Sequence, residues 1–208
     1  MRLLNIVPII HSKQDLGSLD QQIDQVKAKH SDEASRLASR QSVDAFWRDV
    51  RLSFESWEID SRVMLYQDAL PNSGHPEQLV EHRIVEELAS KGNANHQLLK
   101  SLVDRGAKLV GTESIELLIK EYEAVRKALA DGENATQLEP IDAAAKILEE
   151  RDRYIANRID QTLEDDQTGI LFIGLLHRVE DHLPTELTIE YPFGRPSVMW
   201  MSSIRETY

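Results

Sequence analysis

The chain has 208 residues, 41% hydrophobic and 29% charged, which suits one globular domain with a core of its own. A net charge of −12 and a pI near 5.0 oppose approach to a nucleic-acid backbone or an anionic membrane surface. The absence of cysteine excludes disulfides, thiolate zinc sites and thiol nucleophiles.

The chain opens with "LLNIVPII" (3–10), an apolar run that reads as a first core strand. It has no small-residue cleavage site and passes straight into "HSKQD", so a signal peptide is not expected. Val43, Phe46, Trp47, Val50, Phe54 and Trp57 then share one face of a helix, and this aromatic stripe reads as core packing. "RVMLYQ" (62–67) predicts a second strand, and "ALPNSGHPE" (69–77), with two prolines and a glycine, a loop. In "EQLVEHRIVEELASKG" the spacing of Val80, Ile84 and Leu88 predicts a helix with that face inward, stopped at Gly92. "AKLVG" (107–111) predicts a third strand. Ile115, Leu118, Ile119, Tyr122 and Leu129 mark the next helix, and "DGENATQLEP" (131–140) is the expected flexible loop. A long helix follows from Pro140 to about Glu164, then strands "GILFIGLL" (169–176) and "ELTIEY" (186–191). Near the C-terminus Val198, Met199, Trp200 and Met201 are adjacent, an apolar segment expected to pack on its own domain or on a second copy in a homodimer.

Strands alternating with helices predict an α/β fold: a helix-rich single domain with a central, mostly parallel sheet of about four or five strands. Helix is expected to exceed strand by about two to one or more. The first and fourth strands are almost unbroken apolar runs, as for central parallel strands covered on both faces. No run approaches the roughly 18 to 20 apolar residues of a membrane span. A soluble cytoplasmic protein is the expectation, with a small molecule or a peptide as substrate and neither nucleic acid nor membrane as partner.

Sites in open α/β sheets form outside the carboxyl ends of the strands. His11, Asp68, Glu113 and His177 follow the first four strands in turn. Imidazoles with carboxylates form a ligand set for zinc, manganese, iron or cobalt, and the same groups serve as general acid and base without metal. The two histidines share a pattern, an apolar run closed by His, in "VPIIH" and "IGLLH". Ordinary readings stand beside these: Asp68 as a turn residue before "ALPNSG", and Glu113 as a first-turn acid favoured by the helix dipole.

Arg151 falls in the row of Ile147, Ile155, Ile159 and Leu163. Such an arginine either snorkels at the helix edge or pairs with a carboxylate or an anionic substrate group. Asp152 and Arg153 are expected on more exposed faces. His182, five residues past His177, is a weaker candidate, and His30, His75, His82 and His96 lie in polar surroundings expected at the surface. The sequence contains no phosphate-binding glycine loop, no Gly-x-Gly-x-x-Gly and no Gly-x-Ser-x-Gly elbow.

"RDRYIANRIDQTL" followed by "GILFIGLLH" resembles the C-terminal signature of the erythromycin-esterase-like group, an Arg-Asp helix and then an apolar strand closing on His. The wider superfamily of TraB, Tiki and ChaN-like proteins carries two Gly-x-x-His motifs. "GLLH", Gly174 to His177, resembles the second, and "PIIH", Pro8 to His11, the first with proline for glycine. The resemblance implies hydrolysis of an amide or ester bond, metal-dependent in Tiki-like members and assigned to His and Glu acting on water in the esterases. On that basis His11, His177, Glu113 and Asp68 are candidate ligands of a divalent metal (Mn, Co, Fe or Zn). Glu113, His177 and Arg151 are candidate catalytic residues. A metal-free His/Glu hydrolase and a non-catalytic binding or regulatory domain on the same fold are the alternatives.

Overall fold

A computed structural model describes residues 1–9, 33–75, 77–131 and 139–194. The elements are β1 (Leu3–Ile9), α1 (Glu33–Glu55), β2 (Val63–Gln67), α2 (Leu79–Ser90), α3 (Ala94–Asp104), β3 (Lys108–Val110), α4 (Ile115–Asp131), α5 (Glu139–Thr162), β4 (Thr168–Gly174) and β5 (Thr188–Glu190). A 3₁₀ turn at Val179–His182 joins the last two strands. Helix outweighs strand by more than two to one. All five expected strands form, in one sheet of order β3-β2-β4-β1-β5. Every pairing is parallel, beyond the expected "mostly".

The alternation of side chains along each strand sorts the core into two layers. Val7, Ile9, Val63, Leu65, Leu109, Ile170 and Phe172 face one side, where α1 adds Trp47, Val50 and Phe54, α2 adds Val85, and α3 adds Leu98, Leu99 and Leu102. Leu4, Ile6, Met64, Tyr66, Val110, Leu171 and Ile173 face the other, against Ile155, Ala156 and Ile159 of α5 and Leu163 just after it. The connections leaving β1 and β2 run toward the β3 edge, and those leaving β3 and β4 run back. Right-handed crossovers in opposite directions place their helices on opposite faces, as the two layers require.

β1 is a central strand with a proline, Pro8, as its sixth residue, and the sheet accommodates it. Thr188 donates to the carbonyl of Arg2 and Leu3 donates to Gln167, so the even residues of β1 point their backbone groups at β5. β5 pairs only with residues 3 to 5 of β1, so the N–H that Pro8 lacks had no ladder partner to lose. Gly169 is required for another reason. A Cβ there would lie 2.7 Å from Leu4 Cδ1, which lets α5 sit close on the sheet through Leu163.

Two helical expectations are corrected. α3 was not anticipated; Asn93 caps it by accepting the His96 N–H, and its Leu98, Leu99 and Leu102 are fully packed. In α2 the inward residues are Glu81, Val85 and Ala89, whereas Val80 is 47% exposed. The helix is turned by one position because the buried Glu81 carboxylate binds the Ser73 N–H at 2.7 Å and the Ser73 hydroxyl at 3.1 Å, anchoring the loop after β2.

His96 is buried, against the surface expectation, with its Nδ1 2.9 Å from the Asn93 side chain. Among the described residues no helix is long and apolar enough to cross a membrane. His11, the 131–140 loop apart from its ends, and the apolar segment around Trp200 lie outside the described residues.

Candidate functional site

The carboxyl ends of β2 and β3 are tied together before any side chain of the site is placed. Gln67 N–H donates to the Thr112 hydroxyl at 3.0 Å. The N–H groups of Thr112 and Glu113 both donate to the Leu70 carbonyl, and Asn72 N–H donates back to the Glu113 carbonyl at 2.7 Å. Gly111 permits this closeness, since a Cβ there would lie 2.6 Å from Asn72 Cα and 2.8 Å from the Pro71 oxygen. The clamp holds Asp68 and Glu113 side by side at the sheet edge, 6% and 0% exposed.

α5 supplies the cation between them. Arg151 Nε and Nη2 donate to the two Glu113 oxygens at 2.9 and 2.5 Å, a bidentate fork. The same Nη2 reaches Asp68 Oδ1 at 2.6 Å, and Nη1 reaches Glu121 of α4 at 2.7 Å. Glu113 Oε1 also accepts the Ala69 N–H at 3.0 Å, and Asp68 Oδ2 accepts the Gly174 N–H at 3.0 Å. Arg151 is therefore the paired alternative of the sequence reading, not a snorkelling residue.

The next residue of α5 turns about 100° away and meets the end of β4. Asp152 Oδ1 lies 2.5 Å from His177 Nδ1, and Asp152 Oδ2 accepts the Arg178 N–H at 2.8 Å. His177 Nε2 faces Asp68 Oδ1 across 3.5 Å. Its imidazole sits between two aspartates with a side chain only 4% exposed. Asp152 is thus the correction that matters most here: it is 3% exposed rather than on an exposed face, and it holds His177 directly. Its signal is in the sequence, because Asp152, Ala156, Ile159 and Leu163 form a helical stripe of their own, all buried. Arg153 is exposed as expected. His182 stands in the 3₁₀ turn and is half-buried, while His75 is exposed.

The charges follow from this packing. Burial pulls the His177 imidazole down, but its hydrogen bonds to Asp152 and Asp68 and the Asp68 charge outweigh that loss and push it up to about 9. At neutral pH His177 is a cation. Burial pushes the Glu113 carboxyl up, with the Asp68 charge adding and Arg151 opposing. Burial also works against the Arg151 charge, yet Glu113, Asp68 and Glu121 hold that guanidinium firmly protonated. Three buried carboxyl groups, Asp68, Glu113 and Asp152, thus surround the two cationic groups.

Asp68, Glu113 and His177 each offer a ligand atom within 4.8 Å of the others, the spacing of a metal-binding triad. The lone pairs tell against a cation in this arrangement. Glu113 already accepts three hydrogen bonds, and Asp68 accepts from Arg151 and Gly174 and faces His177. A carboxylate has about four such positions. A metal would also compete with the His177 proton and stand beside the Arg151 guanidinium.

β2 and β4 are neighbours whose outgoing connections pack on opposite faces, with Leu70 in one layer and Val179 in the other. The Asp68–His177 pair lies over that divergence, where open parallel sheets form crevices. Comparison with protein families, with curated proteins and with solved structures finds no match.

Proposed function

We propose that the chain is a hydrolase of an ester or amide bond in which His177 and Asp68 move the protons without a resident metal. One observation carries this reading: Asp152 grips His177 Nδ1 at 2.5 Å while Nε2 stands a stretched 3.5 Å from Asp68. The orientation of the ring is fixed on one side, and its other N–H is weakly engaged and free to turn to a substrate oxygen or nitrogen. Water attacks the carbonyl carbon and its proton passes to Asp68. The His177 Nε2 proton goes to the leaving group as its bond breaks. The proton then returns from Asp68 to Nε2 once the two close the 3.5 Å between them, restoring both groups. Arg151 and Glu113 act as positioning residues that hold Asp68. The likeness of "RDRYIANRIDQTL" and "GLLH" to the erythromycin-esterase-like group supports the same class of bond.

The test is hydrolysis of a panel of chromogenic esters and amides between pH 6 and 10, with and without chelator. The expected result is activity that survives chelation, falls as pH rises through about 9, and drops at least about 100-fold in His177→Gln. A folded wild-type protein inert toward the whole panel in both conditions, and with metals added, would leave the non-catalytic binding domain as the better reading.

The metal-dependent reading is favoured by the triad spacing alone. It requires the imidazole to exchange its proton for a cation of Mn, Co, Fe or Zn. Elemental analysis after exposure to those ions and desalting decides it: near-stoichiometric metal in the wild type, lost in His177→Gln and Asp68→Asn, would establish a metal site.

A further inference from the structure

An apolar groove lies beside the network, formed by residues that follow Asp68 and Glu113 in the chain. It is lined by Ala69, Pro71, Ile115, Leu118, Ile119 and Tyr122, with a volume of about 370 Å³. Ala69 follows Asp68 directly and donates its N–H to Glu113 Oε1. Pro71 bridges to Glu113. The opposite wall is the first two turns of α4, which begins just after Glu113 and also carries Glu121, bonded to Arg151 at 2.7 Å. The groove is thus coupled to the site through the Asp68–Ala69 and Glu113–Ile115 segments.

Two further features mark the groove as built for an occupant. Ile115, Ile119 and Tyr122 are spaced as one helical stripe, yet they are 47%, 52% and 45% exposed. Ile115 and Ile119, which would normally belong to the inward face of an amphipathic helix, are thus about half exposed beside the site. At the junction, Ala69 has a left-handed backbone, φ 59°, where a non-glycine residue is strained by about 1–3 kcal/mol. That conformation is what turns its N–H toward Glu113 while placing its methyl in the groove wall.

We infer that this groove binds a short, neutral, apolar arm of the substrate, an alkyl or acyl chain or a single ring, and so sets the specificity of the hydrolase; the inference rests on the hydrolytic reading for the bond that is cut, not for the binding. Size and charge fix the class. The volume is at the low end of the roughly 300–1,000 Å³ of ligand pockets, enough for a short chain or one ring. None of the six lining residues carries a charge, so the groove offers nothing to pair with an ionic arm and suits a neutral one.

The experiment uses the full chain and a homologous series of 2-alkanones, 2-butanone to 2-decanone, neutral carbonyl compounds that cannot be hydrolysed. Affinity is read by protein-observed NMR titration. In the wild type each added methylene should tighten binding about two- to fourfold until the groove is full. Ile119→Asn and Ile115→Asn, changes at exposed positions, should abolish that increment, and His177→Gln should keep it. No dependence on chain length in the wild type, or the same dependence in both asparagine variants, overturns the inference. The two failures are separable: ketone binding with the predicted increment but no ester hydrolysis sinks the hydrolase and leaves the groove. Ester hydrolysis indifferent to acyl length, with no ketone increment, sinks the groove and leaves the hydrolase.

Discussion

Asp68 is shared by two cations, and the contrast between them organises the site. On one side Arg151 is locked: three carboxylates hold it, two of them buried, and its charge is permanent. On the other side His177 is held firmly by Asp152 and only loosely by Asp68, and its charge can be removed near pH 9. Identical chemistry on the acceptor side, a buried aspartate, thus supports a strut in one half and a movable proton in the other. The difference comes from the donor. A guanidinium cannot release a proton in the working range, whereas an imidazole can.

Removing the strut should have the largest effect. Arg151→Met leaves Asp68 and Glu113 buried and facing each other, and urea denaturation should show a loss of about 3–5 kcal/mol. Adding Glu113→Gln to that variant should recover part of the loss, since one buried charge disappears. Recovery of nothing would mean that Arg151 stabilises by packing rather than by pairing.

The titratable half should reveal itself through pH. The His177 pKa is raised on folding from an ordinary 6.5 to about 9. Its contribution is therefore complete below about pH 6.5 and is lost as pH rises through about 9. The fall is on the order of 3 kcal/mol between those limits. Unfolding free energies measured from pH 6 to 10 should show that slope in the wild type and lack it in His177→Gln. A slope that persists in the variant would assign it to another group.

Asp152→Asn sharpens the contrast further. It keeps the shape but withdraws the charge that raises His177, so the activity limb near pH 9 should move toward neutrality, with a stability cost of about 1–3 kcal/mol. An unmoved limb would remove Asp152 from the proton path. The smallest effect should come from Glu121→Gln at the rim, where the carboxylate is 39% exposed and the pair with Arg151 is worth up to about 1 kcal/mol. A double-mutant cycle with Arg151 measures it, and a coupling well above that range would make Glu121 part of the strut.

Much of this was legible in the sequence because burial writes itself as pattern. The apolar runs that became β1 and β4 are covered on both faces, and the residues just past the strands, Asp68, Glu113 and His177, are brought together. Arg151 stood out because an arginine in a row of isoleucines must either snorkel or be paired, and here it is paired. Asp152 was harder to see. An acid beside an arginine looks like surface charge until the stripe through Ala156, Ile159 and Leu163 is traced. α3 was hidden by its polar first turn, where Asn95 and His96 are buried polar groups rather than apolar markers. The register of α2 depended on the anchoring of Ser73 by Glu81, a tertiary contact with no local signature. Protonation is likewise invisible in sequence: a histidine expected to accept a proton instead holds one, because two aspartates from distant elements converge on it.

The proline of β1 has one more consequence. Beyond the three residues that β5 pairs, the far half of β1 has no strand neighbour on that flank among the described residues, and its side chains, Pro8 included, are buried in the folded state. Once partial unfolding bares it, such a flank of a parallel sheet is a template on which a foreign strand can grow, the first step toward intermolecular β-stacking. Pro8 removes a donor on that flank and its ring obstructs close approach, so the template is broken near its open end. Replacing Pro8 with valine should leave the fold intact and raise the propensity to aggregate on partial unfolding, measurable as faster light scattering on heating.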